Sequence, residues 1–240
     1  MSLTTLMGVI AQNSPAGAGG VITDPHIADV LYVNNDYYAG FDDQSPAANT
    51  VFEVGTPTLD DTLLLNGNTT LGLDGSSALH VTGTSASASI ANSDDFTWEA
   101  WVYIDDTTEI NTVIGKRDAF GAEEGRLTVN NSGDLRWDAF RSGSSLVTLI
   151  SDTSLNPAQW YHVAVSRTSN VHRIFIDGVV QTSTDIQALT PSSNGQDIYI
   201  GDNRFNTSRR FTGNMGPVRI THGTSRYSAS FTPEETFPVT

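Results

Sequence analysis

The residues able to do chemistry in this 240-residue chain are 27 carboxylates, 12 lysines and arginines and five histidines, with no cysteine. Zero cysteine removes thiolate nucleophiles, thiolate metal sites and disulfide frameworks together. A serine nucleophile would call for a Gly-x-Ser-x-Gly elbow and a zinc peptidase for His-Glu-x-x-His; neither occurs. His162 lies inside an alternating apolar segment, the setting of a packed, hydrogen-bonded imidazole. His26, His80, His172 and His222 lack the spacing of ligands. Glu123 and Glu124 are adjacent, so on a strand their carboxyls point to opposite faces and cannot converge on one bond. Calcium takes oxygen ligands from loops. Asp202, Asn203 and Asn206, or Asp118 from another loop, have that chemistry, but no EF-hand spacing is present. The expectation is a chain without metal or other cofactor.

Binding chemistry is better represented. Sugars are held by an aromatic face together with Asn, Asp or Arg hydrogen bonds on loops. Trp101 and Tyr103 supply the first, and the loop residues Asp202, Asn203, Arg204 and Asn206 supply the second. An outward aromatic pair equally suits a subunit interface or a place beneath a loop. The net charge of −15 repels phosphate backbones. Arg204, Arg209 and Arg210 are the one basic concentration, read as solvated or paired with neighbouring Asp. No nucleic acid is expected as a partner, and no apolar run is long enough for membrane insertion.

The first eleven residues carry apolar side chains (Leu3, Leu6, Met7, Val9, Ile10) with no Lys or Arg before them, unlike a secretory signal. Gln12–Gly20 is Gly- and Ala-rich without periodicity, the composition of a flexible arm. Residues 1–25 therefore read as an extended arm whose apolar residues attach to a partner chain.

These side chains must be positioned by strands. From His26 onward Thr, Val, Ile and aromatic residues recur between Gly, Asn, Asp and Pro at intervals of roughly 8–12 residues. In Phe96–Ile104, Phe96, Trp98, Ala100, Val102 and Ile104 share one face, while Thr97, Glu99, Trp101 and Tyr103 share the other. Similar alternation marks Leu127–Val129, Leu135–Ala139, Trp160–Ser166 and Asp197–Ile200. Asp177-Gly178 between two β-rich runs predicts a type I′ hairpin. Asn130–Asp134, Asn66-Gly67 and Asp74-Gly75 predict further turns. Antiparallel strands without crossover helices give an all-β, two-sheet sandwich, one domain over residues 26–240.

In order along the chain stand Phe96-Thr97-Trp98-Glu99-Ala100-Trp101-Val102, Ile114–Asp118, Trp160–Arg167, Ile174–Gly178, Ile198–Gly201 and Phe211–Gly213. Val218–Tyr227 and Phe231-Thr232-Pro233 close the series. This series resembles the laminin-G-like, concanavalin A-like lectin/glucanase superfamily, and its ending resembles the variant found in bacteriophage virion proteins. The resemblance implies an antiparallel jelly roll that recognises glycans or proteins. Where such domains carry an acidic pair this chain has Asn214-Met215-Gly216-Pro217, and the Glu-x-Asp-x-x-Glu strand of the related glycoside hydrolases is missing. The function expected is that of a non-enzymatic virion structural protein, a capsid decoration or fibre component. Its partners would be the capsid protein, further copies of itself and a host-surface glycan. The alternative is an extracellular, soluble or cell-attached lectin module, with a glycoside hydrolase more remote.

Overall fold

The computed structural model describes residues 30–36, 40–46, 48–82, 90, 94–117, 123–141, 144–187, 197–202, 209–234 and 237. The arm proposed over residues 1–25, including Leu3, Leu6, Met7, Val9 and Ile10, lies outside them. The first eight strands are β1 (Val30–Asp36), β2 (Gly40–Asp43), β3 (Val51–Val54), β4 (Thr58–Leu65), β5 (Asn68–Asp74), β6 (Ala78–Val81), β7 (Phe96–Ile104) and β8 (Asn111–Arg117). The remainder are β9 (Glu123–Val129), β10 (Asp134–Arg141), β11 (Ser144–Ser154), β12 (Trp160–Thr168), β13 (Val171–Ile176), β14 (Val179–Ile186), β15 (Asp197–Ile200) and β16 (Thr212–His222). No α-helix occurs among the described residues.

Every strand pairing is antiparallel, in two sheets. One runs β11-β10-β9-β8-β15-β6-β3; the other runs β14-β13-β12-β7-β16-β1-β2, with β5 paired to β16 and β4 to β5. The long strand β16 serves two partners on one side, β5 along Thr212–Met215 and β1 along Val218–Thr221. Between these stretches its register against β7 shifts at Gly216-Pro217. Proline has no amide proton to give a ladder, so a bulge is where a long strand tolerates it.

Alternation decides what faces the core. Phe96, Trp98, Ala100, Val102 and Ile104 are all buried and meet the inward residues Leu127, Val129, Leu135 and Trp137 of the seven-stranded sheet. Trp98 and Trp137 pack edge to face, with centroids 5.1 Å apart and planes at 82°, the arrangement favoured by aromatic quadrupoles.

The outer face of the nine-stranded sheet is not left to water. After β16 the chain doubles back across it. Ser225 Oγ lies 2.6 Å from both Ser166 Oγ and Thr168 Oγ1, and the Arg226 amide donates to Thr97 Oγ1. Phe231 packs edge-on against Phe175, and Tyr227 stacks on Phe231 at 3.5 Å. Thr97, Glu99, His162, Ser166, Arg219 and Thr221 are consequently buried.

This return segment is held in part by the Asp177-Gly178 turn. Both residues have positive φ, 49° and 74°, as a two-residue I′ hairpin requires. The Phe231 amide donates to the Gly178 carbonyl at 2.9 Å, and a Cβ on Gly178 would stand 2.0 Å from the Phe231 oxygen. Gly178→Ala should therefore push residues 230–233 off the turn and destabilise the fold by about 2 kcal/mol. Faster hydrogen exchange at the Phe231 amide with β12 and β13 still protected is the expected signature; unchanged exchange there would refute the docking.

Candidate functional site

The two outer faces differ in access. On the seven-stranded sheet, register places Phe52 opposite His80, His80 opposite Tyr199, Tyr199 opposite Gly115, Gly115 opposite Arg126, Arg126 opposite Asp138 and Asp138 opposite Thr148. Directly opposed residues share a face, so these seven form one row across all seven strands, roughly 29 Å at the usual strand spacing. Phe52 ends it, 51% exposed. His80 lies flat on Tyr199 (centroids 4.5 Å, planes at 4°), and its Nε2 meets Asp197 at 2.9 Å. At Gly115 the chain leaving β15 passes over the row; a Cβ there would lie 3.3 Å from the Asp202 oxygen.

Beyond that crossing the row becomes cationic. Asp138, buried at the base, accepts Arg136 Nε and Nη2 at 2.8 Å each, Arg126 Nε at 3.1 Å and Thr148 Oγ1 at 2.8 Å. Burial alone would raise its pKa, but the hydrogen bonds from Arg136 and Thr148 and the charges of both arginines prevail and hold it below the ordinary carboxylate value. Arg126 also reaches Glu123 at 3.4 Å and sits over the Phe140 ring at 5.0 Å. Arg209 completes a cleft of about 250 Å³ with Arg126 and Arg136, walled by Ile110, Thr128, Asn130 and Asn131. Partial burial, then the charge of Arg126, lowers the Arg209 pKa.

A second polar cluster is closed. Glu99 accepts Arg219 Nε at 2.8 Å and the Tyr227 hydroxyl at 2.8 Å, and its Oε2 lies 3.1 Å from His162 Nε2. Arg219 also pairs with Glu234 at 2.9 Å and lies over the Phe237 ring at 4.1 Å. Burial opposes the Glu99 charge, yet Arg219 and His162 draw its pKa down to about 2. Glu99, His162 and Arg219 are each at most 1% exposed beneath the return segment, so this cluster is fitted to hold the chain together.

The sequence-derived binding residues do not form one site. Trp101 is on the outer face of the nine-stranded sheet, half-buried, its indole N–H donating to the Glu234 carbonyl and its ring packed with Phe237. Tyr103 follows it on β7 beside Trp160, with ring centroids 5.6 Å apart. Asp202 leaves the other sheet, is buried, and accepts Arg210 Nε at 3.2 Å. Asn203, Arg204, Asn206 and Asp118 lie outside the described residues. Among those described, no three His, Asp or Glu side chains gather as a metal site. Glu123 and Glu124 do part: Glu123 meets Arg126, whereas Glu124 is buried, accepts the Ile90 amide and faces Lys116. Arg126, Arg136, Asp138 and Phe52 went unrecognised because each reads locally as the solvent side of an alternating strand.

Two antiparallel sheets packed face to face, with an aromatic-to-cationic row on the outside of one, exposed at Phe52 and crossed by the chain at Gly115, define a lectin-like jelly-roll module. The chain belongs to the concanavalin A-like lectin/glucanase superfamily, whose family model matches residues 73–226. Among solved structures, the binding domain of Paraclostridial Mosquitocidal Protein 1 has a TM-score of 0.60 at 14% identity, covering 86% of this chain and 50% of that one. The binding domain of botulinum neurotoxin serotype G gives 0.58 at 14%, over 84% of this chain and 48% of that one. Domain 4 of AbnA, a GH43 extracellular arabinanase from Geobacillus stearothermophilus, in complex with arabinotriose, gives 0.53 at 17%, over 73% of this chain and 82% of that one. This chain spans about half the length of the toxin binding domains it matches. No curated protein matches the sequence.

Proposed function

We propose that this chain is a non-enzymatic carbohydrate-binding module whose binding surface is the outer face of the seven-stranded sheet. The row from exposed Phe52 to the arginine cleft carries the reading: it joins a ring face for stacking to fixed hydrogen-bond donors. The solved domain bound to arabinotriose supports a sugar on this kind of fold. Against hydrolysis, a glycosidase needs a carboxyl that arrives protonated and a second carboxylate facing it. Asp138 is ionised under two arginines, and Glu123 and Glu124 point apart.

A panel of oligosaccharides titrated into the full chain tests the reading. Phe52→Ala should weaken the best ligand about threefold to tenfold and leave the melting temperature unchanged, since Phe52 packs little. Absence of binding across the panel at millimolar sugar would overturn the assignment.

The setting we infer is a bacteriophage virion surface, as a capsid decoration or fibre component contacting capsid protein and copies of itself. The ending Val218–Tyr227 with Phe231-Thr232-Pro233 motivates it. Detection of this chain in a protein inventory of purified particles is the expected result. A free or cell-attached extracellular lectin, the setting favoured by likeness to toxin binding domains, would instead be absent from particles.

A further inference from the structure

We propose that the arginine end of the row is a subsite for an acidic sugar unit, one carrying a carboxylate or a sulfate ester. The inference rests on the glycan-binding reading above and narrows it to a chemical class.

Three guanidiniums, Arg126, Arg136 and Arg209, line one small cleft. Each presents five N–H donors in a planar fork, and among the described residues four of these hydrogen bonds go to acids, to Asp138 and Glu123. The local charge is thus three positive against two negative. Arg209 makes no hydrogen bond or ion pair among the described residues, although it is half-buried; Arg126 and Arg136 repel it while Glu123 and Asp138 attract it from a distance. Its neighbour Arg210 is fully employed, bound to Asp202 and to the Ser76 carbonyl at 2.7 Å. A partly desolvated guanidinium with no hydrogen-bonded acid among the described residues is one that an oxyanion in the cleft would satisfy.

Asp138 gives the cleft its rigidity. It fixes Arg136 through a bidentate pair and Arg126 through Nε, so two guanidiniums are held in place at the cleft, and guanidinium forks match carboxylate and sulfate oxygens. Thr128 and Asn131 stand at the wall for neutral hydroxyls. The volume is below the roughly 300 Å³ at which drug-sized pockets begin, so it seats one sugar unit. The net charge of −15 does not forbid this. Fields from distant carboxylates fade over about 8 Å at physiological salt, leaving the cleft to its own arginines. A phosphate backbone would need a longer positive track than three arginines provide.

The test is calorimetric titration of the full chain at physiological salt with oligogalacturonate, a sulfated galacto-oligosaccharide, the matching neutral galacto-oligosaccharide and a single-stranded oligonucleotide. At least one acidic sugar should bind tenfold or more tightly than the neutral one, and which of the two does so identifies the oxyanion. Arg209→Ala should erase that preference, a loss of about tenfold or more, while Arg209→Lys retains part of it. Among the described residues Arg209 makes no hydrogen bond or ion pair, so both variants should keep close to the parental melting temperature. Arg126 and Arg136 are left intact because they neutralise Asp138. Equal affinity for neutral and acidic sugars, unchanged in Arg209→Ala, would overturn the acidic subsite and leave the glycan reading standing. No sugar binding at all would overturn both. Tighter binding of the oligonucleotide than of either acidic sugar would also refute it.

Discussion

Glu99→Ala is expected to lower the unfolding free energy by about 3–5 kcal/mol, the range for removing one partner of a buried ion pair. Glu99 is the acceptor on which Arg219, His162 and Tyr227 converge. Removing it leaves a guanidinium, an imidazole and a phenol to compete for solvent they cannot reach. Glu234, 46% exposed and 2.9 Å from Arg219, compensates in part, which places the loss toward the lower end. Glu99→Gln keeps the shape without the charge and should fall between parent and alanine variant. Because the same carboxylate ties the return segment to β7 through Tyr227, proteolysis after Gly223 should accelerate more than unfolding of the sheets. Urea denaturation reads the first effect and limited proteolysis the second. A loss below 1 kcal/mol with unchanged cleavage would show that Glu99 is not the clasp.

That cluster also explains why the recognisable segments of this sequence look as they do. Glu99, His162, Arg219 and Tyr227 come from three separate motifs in the chain, and register brings them together: Glu99 stands opposite Arg219, and His162 opposite Trp101. Several of the residues that carry the resemblance fasten the return segment to the nine-stranded sheet, so these report fold and say little about ligand. The residues of the proposed binding surface carry no such signature.

What alternation governs was legible. Phe96–Ile104 is a strand with the two faces its sequence gives it, and Asp177-Gly178 turns between β13 and β14 as its φ preferences require. What covers a face is not local information. Trp101 was correctly opposite the core set, yet nothing near it in sequence announces Glu234 and Phe237. The arginine loop was half legible: Arg210 pairs with neighbouring Asp202 as read, while Arg209 turns to the cleft. Within β10, Arg136 and Asp138 alternate with Leu135, Trp137 and Ala139, a pattern indistinguishable from any solvated strand face until β9 and the loop before β16 are set beside it.

His172 should set the pH dependence of stability on the mildly acidic side. It is 2% exposed, and its Nδ1 accepts the Trp137 indole N–H at 3.3 Å. The ring lies near-parallel to Trp137 and edge-on to Phe96. Burial, then the nearby Arg167 charge, pushes its pKa from 6.5 down to about 3. The unfolded chain therefore binds a proton that the folded chain refuses. The stability this confers is complete above pH 6.5 and is lost progressively as pH falls toward 3. At about 1.4 kcal/mol per pH unit, the interval from pH 6.5 to 4.5 should remove about 3 kcal/mol. Carboxylates with depressed pKa, Glu99 at about 2 and Asp74 at about 2, add to the loss only as pH approaches and passes below their ordinary values near 4. His172→Gln offers Trp137 an acceptor that does not titrate. The variant should start less stable at pH 7 and then hold nearly level to pH 4.5 while the parent declines, so the two denaturation curves converge. Parallel curves across that interval would mean the buried imidazole takes up its proton without opening the core.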